Sequence, residues 1–439
     1  MKKGVLRNNC VMKKTHKQIV IILSITTILL TAIYGWWRWS TDLLSEKPYQ
    51  TEQEEVAHYI ERHFLLDRNI TAEALLAQYR TTTEIVQSLN DPYSELLLQE
   101  ELDQAVSELN GSYVGVGFEA KKQEGAYLQI IGVMPDSPAM KAGLRPNDII
   151  LTIDGADTKS MDSAQTLSLI KGPEGTVVSL TIRRENADSE VQLHRTRLDV
   201  PIVESRMLSE TCGYLSLSQL PMMIYQEVED ALRSLSDQGM NTLVLDLRGN
   251  SGGEIEEAAM VASLLLSEDH KVLFTVSHKT KEPTVYQRTR KQVFSGPLYV
   301  LVNEYTASSA ELLTEILQDV GDAVVVGAKT FGKGISQSFF YLESGNILKL
   351  TTGQFYAPSG HIIHENGVVP DYDIPMDPRL ASTGRIHMSE EEQLAYVQQL
   401  RPYFVEGYGE QEGEAKLKKG DVQLSAAMEL AASQRRPAS

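Results

Sequence analysis

Cysteine is almost missing from this chain: Cys10 and Cys212 are the only two in 439 residues. No cysteine cluster for zinc can be assembled from them. The topology read below puts them on opposite sides of a membrane, which argues against an intrachain disulfide. Positive charge is also scarce. Lys and Arg total 41 against 59 Asp and Glu, a formal net charge of −18, which argues against non-specific nucleic-acid binding. The Gly-Lys-Ser/Thr ending of a phosphate-binding P-loop does not occur, and no internal repeat or low-complexity tract is found. His361 and His364 form a close histidine pair, but their three-residue, loop-like spacing lacks the helical repeat and third ligand of a metal motif. No metal or organic cofactor is expected. What is present is apolar material, 42% of residues, in a chain long enough for two or more domains.

Long uncharged runs are equally rare, with one exception. Ile19 to Trp37 carries no charge and is long enough to cross a bilayer as a helix. It follows a basic tail, residues 1–18, with Lys2, Lys3, Arg7, Lys13, Lys14 and Lys17, and ends in Tyr34, Trp36, Trp37 and Trp39, the composition of an interfacial belt. The positive-inside bias places residues 1–18 in the cytoplasm, 19–39 in the membrane as an anchor, and the rest outside. A cleaved signal peptide is the competing reading. Its apolar region would be shorter, and no convincing small-x-small cleavage site follows Leu30. The expectation is a single-pass cell-membrane protein with an extracytoplasmic body.

Residues 40–109 show helical spacing at Val56, Tyr59, Ile60 and His63-Phe64, and again over Ala72 to Leu89. Asn90-Asp91-Pro92-Tyr93-Ser94 makes a turn, after which Glu95–Leu109 returns to a helical pattern. From residue 198 a βα pattern takes over. Thr242-Leu243-Val244-Leu245-Asp246-Leu247 is a strand of the buried α/β kind, running into Arg248-Gly249-Asn250-Ser251-Gly252-Gly253 and a helix over Glu254–Leu266. A strand, a glycine loop and a helix start together make a natural anion or oxyanion site. Further strands are expected at Cys212–Leu217, Leu298–Val302, Val324–Val326 and Ile347–Leu350, and helices at Ile224–Leu235, Ser389–Leu400 and Val422–Ala432.

The chemistry concentrates in residues 306–337. Thr306-Ala307-Ser308-Ser309-Ala310-Glu311 sets hydroxyls just before the apolar helical pattern of Leu312, Leu313, Ile316 and Leu317. A serine at such a start can expose its hydroxyl beside unpaired N–H groups. Thr330-Phe331-Gly332-Lys333-Gly334-Ile335-Ser336-Gln337 places a lysine between glycines, where burial can leave the amine neutral and basic. Serine with a buried lysine is a known nucleophile–base pair. An ordinary helix cap at Ser308 and a surface lysine at 333 are the plainer alternatives.

Together these motifs resemble the carboxyl-terminal processing (tail-specific) protease family. In that family a T-A-S-x-[SA]-E element carries the nucleophile and a G-K-G-x-x-Q element the base and its glutamine. The resemblance implies catalytic Ser308, Lys333 and Gln337, with Gln337 orienting the lysine. Ser309-Ala310 reverses the commoner Ala-Ser order and leaves the nucleophile in place. The L-D-L-R-x-N-x-G-G element implies oxyanion donors at the backbone of Gly253 and of Ser309, with Gly252 the near alternative.

Residues 110–197 resemble a PDZ domain. Gly115-Val116-Gly117-Phe118 is a Gly-x-Gly-Phe loop whose amides can hold a peptide's terminal carboxylate, and Ser137–Ile150 with Ile153-Asp154-Gly155 extends the match. The groove helix is expected at Ser163–Ile170. Lys171 occupies the place of a family arginine that helps couple peptide binding to activation. It keeps the charge without the bidentate fork.

The implied architecture is multidomain α/β: a ClpP/crotonase-like βα protease core (198–376), a β-rich, α+β PDZ domain (110–197), an N-terminal helical region (40–109) behind one transmembrane helix, and a C-terminal helical tail (377–439). The implied activity is serine endopeptidase cleavage of extracytoplasmic protein or peptide substrates bound by their C-termini. The partners implied are those substrates and a second copy of the chain, joined through the N-terminal helices, with no nucleic acid. Two other classes share parts of the pattern: a catalytically silent PDZ scaffold, and a crotonase-like acyl-transforming enzyme.

Overall fold

The computed structural model describes residues 49–122, 125–134, 136–185, 187–320, 323–376, 401, 405 and 409–433. The basic tail, the expected membrane anchor and the expected helix at Ser389–Leu400 lie outside the described residues, as does Cys10. Among the described residues no helix is long and apolar enough to cross a membrane. The chain divides into residues 1–55, of which 49–55 are described and begin the helix Glu52–His63, and residues 56–439.

The strands expected of the βα core stack side by side. Cys212–Leu217, Thr242–Asp246, Leu298–Val302 and Ala323–Gly327 run parallel in that order, extended by Tyr372–Asp373 at one edge and by antiparallel Val203–Met207 at the other. Both faces of these strands are covered, which leaves Ser216, Thr242 and Asp246 as their polar exceptions. Leu243, Leu245, Leu298, Val300 and Val302 face a large core shared with the helices Ile224–Asp237, Ile255–Leu265 and Ser309–Asp319. Tyr214, Val244, Tyr299 and Leu301 face the other way, where Ala427 and Ala431 of the helix Val422–Ser433 cover them. The C-terminal helix is therefore the second outer layer of this sheet.

Two expectations for the N-terminal region are corrected. The helix expected over 72–89 is two, Ala72–Gln78 and Thr82–Gln87, because Thr81 starts the second with a capping box closed by Glu84. The segment 95–109 begins as a strand: Glu95–Leu97 pairs antiparallel with Lys349–Ile347 before the helix Gln99–Leu109 starts. That strand joins a second sheet with Val272–His278, Thr284–Gln287, Ile335–Tyr341 and Ile347–Tyr356. The helical residues Ile60, Phe64, Ile85 and Val86 pack on Leu348 and Leu350 of this sheet.

Residues 118–194 form an antiparallel sheet in the order 118–121, 128–133, 149–153, 177–184, 187–194, around a core of Leu128, Ile130, Ile150, Val178 and Leu180. Ser112–Gly115 pairs separately with Thr196–Asp199. The helix Ser163–Ile170 lies where expected.

Candidate active site

Two loops at the C-terminal ends of adjacent parallel strands build the site, the position at which such sheets place their ligands. Buried asparagines and a threonine hold them together. Asn250 Nδ2 donates to Leu217 O (2.8 Å), its Oδ1 accepts from Gly252 N (2.8 Å), and its carbonyl accepts from Ala307 N (2.9 Å). Asn303 Oδ1 accepts from Gly249 N (2.9 Å), and Thr306 Oγ1 donates to Leu247 O (2.8 Å).

Ser308 stands at the turn from strand to helix with φ 57° and ψ −125°, a conformation that costs energy for any residue but glycine. It is the N-cap residue of the helix that follows, and Glu311 reaches back to its N–H (2.9 Å) as in a capping box. Gly252 presses against it: a Cβ there would sit 2.8 Å from Ser308 Cβ and 2.9 Å from Ala307 O. Gly253, at φ +148°, is pinned against Leu220, whose carbonyl a Cβ would meet at 2.2 Å. The Gly252 N–H is spent on Asn250, whereas those of Gly253 and Ser309 have no acceptor among the described residues. Between the two glycines weighed from sequence, Gly253 is the one with a free amide.

Glu311 ties this loop to the lysine loop. Fully buried, its carboxylate accepts from Ser308 N (2.9 Å), Thr330 Oγ1 (2.5 Å), Gly332 N (2.6 Å) and Lys333 N (2.8 Å). Every donor is a group of one of the two quoted motifs, so one side chain fixes their separation.

The Lys333 amine is pushed down to about 8, chiefly by burial and then by the Lys349 charge, while Asp91 and Glu311 pull the other way. It sits 4.6 Å from the centre of the Tyr93 ring. Tyr93 is delivered by the Asp91–Ser94 turn, which closes through Ser94 Oγ to Asp91 Oδ2 (2.6 Å) and is anchored where Ser94 Oγ accepts from Thr351 N (3.0 Å). Gln337 Nε2 donates to Thr351 Oγ1 (3.2 Å). Among the described residues no hydrogen bond joins Ser308 Oγ to Lys333 Nζ, or Gln337 to that amine.

In the Gly115–Phe118 loop the carbonyls turn inward. Val116 O accepts from Ala139 N (2.8 Å), and Gly117 O from Met134 N (2.9 Å) and Ser137 Oγ (3.1 Å). Gly117 has φ +82°, and a Cβ there would lie 2.2 Å from Ser137 Cβ. The amides of Val116 and Gly117 have no acceptor among the described residues, and Phe118–Lys121 is an edge strand of its sheet. Lys171 Nζ pairs with Glu108 Oε1 at 2.9 Å, both partly exposed.

Residues 211–374 match the family model of peptidase family S41, and residues 129–184 that of the PDZ domain. The carboxyl-terminal-processing protease of Synechocystis sp. is 34% identical over 300 residues, 67% of this chain and 70% of the relative. That of Picosynechococcus sp. is 33% identical over 324 residues, 72% and 77% of the two chains. The chain belongs to the carboxyl-terminal-processing protease family. It also shares 32% identity over 66% of its length with a probable CtpA-like serine protease of Staphylococcus haemolyticus, but spans only 58% of that relative. Among solved structures, the photosystem II D1 C-terminal processing protease superimposes with a TM-score of 0.55 at 25% identity, over 74% of this chain and 93% of that one. A putative S41 protease from Bacteroides fragilis shares the fold, with a TM-score of 0.51 at 20% identity over 82% and 100% of the chains.

In this S41 family member the residues named from sequence fall into two groups. Ser308, Ser309 and Lys333 lie on the two loops joined by Glu311, with Gly253 on the neighbouring loop tied to the serine loop by Asn250 and Asn303. Gln337 lies on the strand after Lys333, while Gly115–Phe118 and Lys171 belong to the PDZ domain. Glu311 and Tyr93 were quoted within motifs without a role; the signal for the first was a buried-helix glutamate three residues after the serine. Asn250 and Thr306 were likewise quoted within motifs without a role, and Asn303 carried no signal beyond its place in a loop. His361 Nδ1 pairs with Glu315 Oε1 at 2.8 Å, while His364 Nδ1 is buried without a partner.

Proposed function

We propose that this chain is a membrane-anchored serine endopeptidase of the carboxyl-terminal processing type, with a Ser308–Lys333 dyad. The observation that carries the reading is Glu311, a single buried carboxylate bonded to the backbone of both residues. The strained backbone of Ser308 and the lowered Lys333 amine support the same reading. Neutral Lys333 takes the Ser308 proton as Oγ attacks the scissile carbonyl. The Gly253 and Ser309 amides hold the oxyanion, and the C–N bond breaks as Lys333 passes its proton to the leaving amine. Water deprotonated by the neutral lysine then attacks the acyl-enzyme, releasing the acid and restoring the Ser308 hydroxyl. For the first step the lysine amine leaves the Tyr93 ring and meets Oγ, a contact of the kind that tightens in the substrate complex, with Gln337 orienting it. Exposed Tyr305 and Phe331, three and two residues before Ser308 and Lys333, suit a peptide with apolar side chains. The PDZ domain takes the substrate's C-terminal carboxylate on the 115–118 loop. Residues 19–39 anchor the chain with its body extracytoplasmic, and the N-terminal helices pair two copies.

The test is peptide cleavage by the full-length protein. Ser308→Ala and Lys333→Ala each abolish it with folding intact, and the double variant is little worse than either, because the pair acts as a unit. Ser309→Ala retains activity, since its backbone amide survives and the hydroxyl it removes is buried without a partner. Substantial cleavage by Ser308→Ala, with none by Ser309→Ala, overturns the assignment.

A further inference from the structure

A cavity of about 250 Å³ opens on the second sheet, and none of its lining residues belongs to the site above. Its walls hold four basic side chains, His63, His278, Lys279 and Lys281, and three hydroxyl residues, Thr280, Ser338 and Thr352. No aspartate or glutamate lines it, in a chain whose net charge is −18. The bases come from separate elements. His63 ends the helix Glu52–His63 and stacks on Phe340 with ring centres 5.0 Å apart. His278 ends the strand Val272–His278, and the two lysines follow it in the chain.

The donors are only partly used. Lys279 Nζ gives one proton to Asp67 O at 3.1 Å, leaving two. Lys281 Nζ has no partner among the described residues. Ser338 Oγ and Thr352 Oγ1 lie 2.6 Å apart and share a single bond, so one hydroxyl proton is left over. His278 is held between Thr352 O (3.3 Å) and Thr284 Oγ1 (3.2 Å) and serves as wall. The positive charges also repel one another, while the Asp67 and Glu61 carboxylates beyond the lining offset part of the charge on Lys279. His63 is held below the usual imidazole range by burial first, then by Arg62, His58, Lys281 and Lys279. An anion in the cavity relieves that repulsion.

We propose that this cavity is a binding site for a tetrahedral oxyanion, free phosphate or a small phosphomonoester. No guanidinium lines it, so the planar fork that suits a carboxylate is missing. Ammonium groups and hydroxyls on different walls fit a tetrahedral ion. The volume falls just under the range of about 300 Å³ and more typical of drug-sized ligands, which favours a small occupant. Ser338 and Thr352 each follow a member of the Gln337–Thr351 bond in sequence, so the cavity lies on the reverse face of the strand pair carrying Gln337.

The experiment is calorimetric titration and thermal unfolding of the full-length protein with sodium phosphate, glycerol phosphate and sodium chloride at matched ionic strength. The expected result is saturable binding of at least one phosphate compound and a rise in unfolding temperature that chloride does not give. The tighter of the two identifies the source, free phosphate or monoester. The double variant Lys279→Ala, Lys281→Ala weakens binding at least about tenfold, the scale of one lost charge-assisted contact. Lys291→Ala, outside the cavity, leaves it unchanged. An equal effect of chloride, no saturable binding of either phosphate, or wild-type affinity in the double lysine variant overturns the proposal.

Discussion

Arg248, fully buried beneath the oxyanion loop, shares its guanidinium with Asp421, 173 residues later in the chain. Nη1 and Nη2 each donate to one oxygen of Asp421 at 2.8 Å, while Nε and Nη2 also reach Asp246. Asp421 in turn caps the C-terminal helix through Leu424 N at 2.9 Å. Nη1 also donates to Gln423 Oε1 at 3.2 Å, so losing Asp421 removes one of three acceptor side chains. That loss is costly because the freed donors are buried away from water. Asp421→Ala is expected to lower stability by about 2–4 kcal/mol, combining lost charged hydrogen bonds with a lost cap. Asp421→Asn, which keeps one acceptor, costs about half as much. Urea unfolding of the two variants checks the order; equal, negligible losses would mean that the C-terminal helix adds little to the core.

Glu311 predicts a kinetic phenotype as well as a stability one. In Glu311→Gln the amide nitrogen must face at least one of four N–H or O–H donors, so the two loops move apart. A displacement on the ångström scale costs catalysis about a hundredfold. The loss is expected in kcat with KM nearly kept, since Glu311 touches no substrate-facing surface. The variant also removes an anion that holds the Lys333 pKa up. The midpoint of its pH–rate profile therefore moves below the wild-type value. A purely structural role for Glu311 would lower activity without moving that midpoint.

Much of this was legible before the fold. The strand over 242–246 carried a buried α/β signal because both faces are covered, and Ser308, Lys333 and the glycine loop sat in dense local motifs. What sequence hid were relationships over distance. The helix pattern across 72–89 ignored the Thr81 cap, since local propensity continues through it. Glu95–Leu97 reads as helix until its partner Lys349–Ile347 is known. The strand Ile335–Tyr341 went unread because its alternation is broken by Phe339-Phe340-Tyr341. Asp421 is an ordinary charged residue in a polar tail until Arg248 is placed opposite it.

The peptide loop gives a separate prediction. Its carbonyls are consumed by Met134, Ser137 and Ala139, so a ligand meets only donors. A free C-terminal carboxylate satisfies them, whereas a C-terminal amide brings donors against donors. Fluorescence titration of the full-length Ser308→Ala protein with acid and amide forms of one apolar-ended peptide is expected to show the acid binding at least about tenfold tighter, the scale of one charge-assisted bond. Equal affinities would leave the loop without a role in reading C-termini.

On the proposed mechanism, the Tyr93 ring against Lys333 bears on the pH dependence of cleavage. As general base the lysine must be neutral, so the rate climbs as pH rises through its pKa, about 8, and falls away on the acid side. Burial is the largest cause of that lowering, and the Tyr93 ring lies against the amine. Tyr93→Ala lets water reach the ammonium and favours its charged form, so the midpoint of log kcat/KM moves up toward the free-lysine value. Tyr93→Phe keeps the ring face and leaves the midpoint in place, which separates the ring's role from any role of the phenol. Stopped-flow cleavage of one fluorogenic peptide across the pH range, on the wild type and both variants, reads all three midpoints. If Tyr93→Ala titrated with the wild type, the ring would be packing beside the lysine without tuning it, and the basicity of Lys333 would rest on the rest of its burial alone.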